Sequence, residues 1–168
     1  MTSDRTMFEA FARRSAELHR QRAHDLRERG HALPGAAAAL AALADMDGIV
    51  QSVVTGNIRP VAEVKLQVFG LDTHIRFPYG GYGEDHDDRA ELVRTAIART
   101  RAASGTDVAL NDVLLIGDTP RRSRRTRGRR SRTGRRDRPY LGRELADAGA
   151  TATVPDLRDQ SPLRDLLR

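Results

Sequence analysis

Eighteen consecutive residues, Arg121 to Arg138, carry no apolar side chain. A segment of that length with nothing to bury cannot supply a face of any core, so a folded body has to come from residues 1–120 and 139–168. The run holds eleven arginines and one aspartate, a net charge of +10, against +6 for the whole chain of 168 residues. The remainder is therefore at −4, ordinary for a soluble enzyme, and the basic character belongs to one segment. Such runs bind phosphate backbones with strong salt dependence. No aromatic residue is interleaved for base stacking, so any nucleic-acid binding is expected to be non-specific.

Composition narrows the rest. The chain has no cysteine, which removes disulfides and thiolate metal sites. No apolar stretch approaches the roughly 18 residues that read as a membrane span. The start, Met1 to Phe11, contains Asp4 and Glu9 and no apolar secretory core. A soluble, cytoplasmic protein is the expectation. Lys65 is the one lysine among 29 basic residues, which singles it out in a chain otherwise biased to arginine.

Residues 4–29 read as a helix, with Phe8, Phe11, Leu18 and Leu26 and the alanines 12, 16 and 23 forming an interrupted apolar stripe. His19, His24 and His31 have no i, i+4 partner among themselves and read as surface residues. Pro34 opens a second helix through Ala44. Gly48 precedes a β-branched run, Ile49–Val54, which reads as a buried strand ending at Thr55-Gly56-Asn57. Residues 60–69 form the next helix, with Lys65 within it. The stretch 70–88 is loop-rich, and its glycines are too scattered for a nucleotide-binding fingerprint. A helix over 88–103 follows.

Val113-Leu114-Leu115-Ile116-Gly117-Asp118-Thr119-Pro120 is a short apolar run bounded by polar turns. It reads as a strand buried on both faces of a parallel sheet, which places Asp118 at the carboxyl end, where such sheets carry ligand-binding groups. Past the arginines, 141–148 reads as a helix, 150–154 as a short strand and 162–167 as a terminal helix. Strands alternating with helices predict an α/β fold with a parallel sheet.

Together, Ser52-Val53-Val54-Thr55-Gly56-Asn57, Lys65 and Leu114-Leu115-Ile116-Gly117-Asp118-Thr119-Pro120 resemble the haloacid dehalogenase-like hydrolases, particularly the phosphoglycolate-phosphatase-like members. Phe69-Gly70-Leu71-Asp72 and Tyr82-Gly83-Glu84-Asp85-His86-Asp87-Asp88-Arg89 add to the likeness, which covers about residues 30–120 and resumes near 139–160. The resemblance implies a Rossmann-like parallel sheet of that type, here lacking its first strand, in a core over 34–168, with a helical cap remnant over 1–33. It implies phosphoryl transfer from a small phosphorylated metabolite to an enzyme carboxylate and then to water. Thr55, with the backbone N–H groups of Gly56 and Asn57, would bind the phosphoryl oxygens. Lys65 would neutralise the phosphate. Asp118 would help hold Mg²⁺, so that Thr55, Lys65 and Asp118 form the catalytic set.

The chain also departs from that pattern. An apolar strand followed by Asp-x-Asp-Gly, which carries the family's nucleophile, has no counterpart before Thr55. Asp45-Met46-Asp47-Gly48 has the letters but follows a helical pattern and lies too close to Thr55, so its acids read as a turn. The resemblance further implies a second acid four residues after Asp118, where Arg122 stands and would repel a cation. The expectation is an N-terminally truncated phosphomonoester phosphatase, impaired as written, with 121–138 reading as a compensated frameshift. A missing central strand would leave sheet edges open to a second copy or a strand-complementing partner.

Overall fold

The computed structural model describes residues 2–117 and 150–167. Six helices account for most of its regular structure: α1 (Thr2–Gln21), α2 (Ala23–Arg29), α3 (Ala36–Ala44), α4 (Arg59–Val68), α5 (Arg89–Ser104) and α6 (Ser161–Leu166). Two compact units divide the chain. The first comprises Met1–Val113 with Leu157–Arg168, and the second comprises Leu114–Asp156.

Within the first unit α1 and α2 pack on α4. Ala12 and Ala16 are the buried residues of α1, while Phe8, Phe11 and Leu18 remain exposed. The apolar stripe is thus used through its small members, which let two helices approach closely, and its large members face outward. A single helix over 4–29 is interrupted at Arg22, which separates α1 from α2. Val61, Ala62 and Val64 of α4 and Leu92 and Val93 of α5 supply most of the remaining core, with Val64 and Leu92 each 1% exposed. The Asp88 side chain caps α5 by accepting from the Ala90 N–H at 2.9 Å, and Gly105, at φ +67°, ends it.

The expected α/β sheet does not form: the described residues are helical and contain no β-strand. Ile49–Val54 is where the expectation came nearest. The segment runs alongside residues 76–81, and Val54 forms one isolated parallel bridge with Gly81. The reason for the failure is a break in register. Gln51 C=O accepts from Arg76 N–H at 2.8 Å, whereas Val53 C=O accepts from Gly81 N–H at 3.0 Å. Between those contacts one side advances two residues and the other five, because Phe77–Tyr79 winds into a single 3₁₀ turn containing Pro78. A ladder cannot run through that turn. On the opposite edge the backbone groups of Ser52 and Val54 have no hydrogen-bond partner among the described residues.

The other two expected strands fare no better. In the second unit, Leu115 and Ile116 are 51% and 52% exposed and lack ladder partners, as does Ala150–Val154. Branched side chains favour strands through packing on neighbouring strands, and without neighbours the preference has nothing to act on. The expected helix over 141–148 and the arginine run over 121–138 lie outside the described residues.

Candidate functional site

The segment Thr55-Gly56-Asn57 turns immediately before α4, whose N-cap is Ile58. Thr55 N–H donates to Gly81 C=O at 2.9 Å. The Thr55 hydroxyl oxygen then accepts twice from Asn57, from its backbone N–H at 3.2 Å and from its Nδ2 at 2.9 Å. Lys65, one and a half turns into α4, reaches back to Asn57 Oδ1, with Nζ at 2.9 Å. An ammonium can only donate, so the Asn57 carbonyl oxygen must face Lys65 and its NH₂ must face Thr55. The three side chains therefore form one directed chain, Lys65 to Asn57 to Thr55.

A hydrogen-bond inventory shows what this chain presents outward. Both acceptor lone pairs of the Thr55 hydroxyl are taken, which leaves its proton to donate. Lys65 keeps two N–H groups and Asn57 one. Gly56 is exposed and its N–H makes no bond among the described residues. No carboxylate pairs with Lys65 among the described residues. The free side-chain hydrogens of Thr55, Asn57 and Lys65 and the free Gly56 N–H are all donors, and one carries a full positive charge, so the arrangement suits an anion.

Thr55, Asn57 and Lys65, singled out in the sequence, thus meet in space. Asn57 takes part through its side chain, since its backbone N–H already serves Thr55. Asp118, the expected metal ligand, lies outside the described residues. Among the described residues no group of three His, Asp or Glu side chains could hold a cation, and the hydroxyl, amide and ammonium around Thr55 are not a Mg²⁺ donor set. The Asp45–Gly48 stretch is an exposed turn after α3, as its letters suggested.

The loop 80–85 holds this site from one side, and it was not visible in the sequence as part of it. Gly83 N–H donates to Asn57 C=O at 3.0 Å. A Cβ on Gly83 would sit 2.2 Å from the Gly56 carbonyl oxygen, so only glycine permits the approach. Glu84 grips Arg59 N–H with both carboxylate oxygens, at 3.0 and 3.2 Å. Behind the loop, Arg99 of α5 makes a bidentate pair with Asp85, both contacts at 2.7 Å, and its guanidinium holds the Asp85 carboxyl below the usual carboxylate range. Asp85 also accepts from Tyr82 N–H at 2.9 Å. Tyr82 is 2% exposed, its hydroxyl donates to Phe77 C=O at 2.6 Å, and burial pushes its phenol up to about 12. The signal that could have revealed the loop was Gly80-Gly81-Tyr82-Gly83, three glycines in four residues, a density that marks close backbone approach even where no nucleotide fingerprint exists.

The site is thus a turn with free donors that opens a helix, backed by a lysine on that helix. A sequence model of the haloacid dehalogenase-like hydrolases matches residues 1–121, and the chain belongs to that family. Hydrolases of this family generally use Mg²⁺. No curated protein and no solved structure matches the chain.

Proposed function

We propose that Thr55, Gly56, Asn57 and Lys65 bind the phosphoryl group of a small phosphomonoester, as part of a phosphoglycolate-phosphatase-like site that is catalytically impaired in this chain. The observation that carries the reading is the Lys65 ammonium held by Asn57 beside the free donors of Thr55 and Gly56. A half-buried ammonium hydrogen-bonded to a neutral amide, with no acid paired to it among the described residues, gains most from an anionic ligand. In this reading Thr55 and Gly56 orient the phosphoryl oxygens, and Lys65 neutralises them. Asp118 is assigned the metal-side role that the family resemblance gives it.

Impairment follows from the acids. The only Asp-x-Asp-Gly in the chain is the exposed turn Asp45–Gly48, and Arg122 occupies the place of a second acid. With no carboxylate brought to the Thr55–Lys65 cluster among the described residues, phosphoryl transfer to the protein has no acceptor there.

The test is a calorimetric titration with inorganic phosphate, alongside turnover of p-nitrophenyl phosphate. The full chain should bind phosphate, and Lys65→Met should weaken binding about tenfold or more, since a hydrogen bond to a charged group is worth roughly 1.5–3 kcal/mol. Turnover should be negligible. Equal affinity in Lys65→Met would overturn the binding reading, and turnover that drops with Asp118→Ala would overturn the impairment.

A further inference from the structure

We infer that Glu84 is a positioning residue for the anion-binding turn, acting on Asn57 through the first residue of α4. The inference rests on the phosphate-binding reading but goes beyond it, because Glu84 touches none of the binding groups itself. Three observations converge. The N-cap of α4 is Ile58, which has no side-chain acceptor, and no local cap hydrogen bond forms. The carboxylate that takes its place comes from another loop, with both oxygens on Arg59 N–H. One residue earlier, Gly83 N–H holds Asn57 C=O at 3.0 Å. Glu84 and Gly83 thus fix the peptide units on either side of Ile58, and with them the backbone that carries the Asn57 side chain.

The function of that clamp is to set one rotamer. Asn57 must offer Nδ2 to Thr55 and Oδ1 to Lys65 at once, at 2.9 Å each. A shift of the turn breaks one of the two links, and either break leaves Thr55 or Lys65 aimed elsewhere. Glu84 also fills the positive end of α4 with its own charge, so an incoming anion is left to Gly56 and Lys65 rather than to the helix terminus.

Charge and position make opposite predictions, which makes the inference testable. Glu84 is negative and close to an anion site, so a merely electrostatic bystander would tighten phosphate binding when its charge is removed. A positioning residue would weaken binding when its acceptors are removed. In the full chain, Glu84→Ala should weaken inorganic phosphate binding by roughly tenfold, about the effect of one charge-assisted hydrogen bond. Glu84→Gln, which keeps one acceptor oxygen for Arg59 N–H, should restore most of the affinity. Amide exchange measured by NMR supplies a readout that needs no ligand. The Arg59 N–H and the Asn57 side-chain NH₂ should exchange faster in Glu84→Ala and near the wild-type rate in Glu84→Gln, while the Val64 and Leu92 amides stay protected in both. Tighter phosphate binding in Glu84→Ala, or unchanged exchange at Asn57 and Arg59, would overturn the inference. Wild-type protein that fails to bind phosphate would end the binding reading, and the exchange rates would still decide the role of Glu84.

Discussion

Tyr82 and Asp85 make the stability of the first unit depend on pH at both ends of the scale. The Tyr82 phenol is raised from 10.0 to about 12 by burial, so the fold favours its neutral form. Its contribution is complete below pH 10 and is lost as pH rises from about 10 towards 12, by an amount on the order of 2 kcal/mol. Asp85 is shifted the other way by Arg99. Its contribution is complete above the unfolded carboxylate value near 3.8 and is lost as pH falls through the lower folded value. Thermal unfolding followed across pH should show both limbs. Tyr82→Phe should flatten the alkaline limb and cost about 1 kcal/mol at neutral pH, through loss of the hydrogen bond to Phe77 C=O. An alkaline limb unchanged in Tyr82→Phe would contradict the assignment. Residue-level chemistry of this kind was only partly legible in the sequence. Lys65 stood out because it has no lysine competitors. The partner of Asp85 is fourteen residues away on α5, and no local spacing announces it.

At the scale of elements, helices were read well and strands were not, for one physical reason. A helix closes its hydrogen bonds within its own sequence, so α3, α4, α5 and α6 fall within a residue or so of where periodicity and caps place them. A strand needs a partner, and the sequence of Ile49–Val54 is silent about whether one exists. Pro78 and its 3₁₀ turn, on the other segment, decide that the pairing stops after one bridge. Docking of the C-terminal segment depends on contact between distant parts of the chain in the same way. Leu157 N–H donates to Pro34 C=O at 2.9 Å, and a Cβ on Gly35, at φ +84°, would lie 2.2 Å from the Leu157 carbonyl carbon. Gly35→Ala combines strained backbone with a backbone clash. It should release residues 157–167, seen as new protease cleavage around 157 and loss of amide protection at Leu163, while α4 and α5 stay protected. Retained protection at Leu163 would show that the contact is dispensable.

For the whole molecule, family membership rests on the match over residues 1–121, and the anion-site reading rests on three side chains from one turn and the helix after it. Most of that site is local in sequence, Thr55 through Lys65, and so it was legible. Its support from residues 80–85 is not local and came only with the structure. No described helix is long and apolar enough to cross a membrane. The most direct measurement is a crystal structure of the full chain soaked with tungstate, a tetrahedral phosphate mimic with strong anomalous signal. The anion should lie within hydrogen-bonding distance of Thr55 Oγ1, Gly56 N–H and Lys65 Nζ, with the Asn57 link between Thr55 and Lys65 preserved. Tungstate absent from that turn at saturating concentration, or Lys65 paired instead with a carboxylate of its own chain, would contradict it.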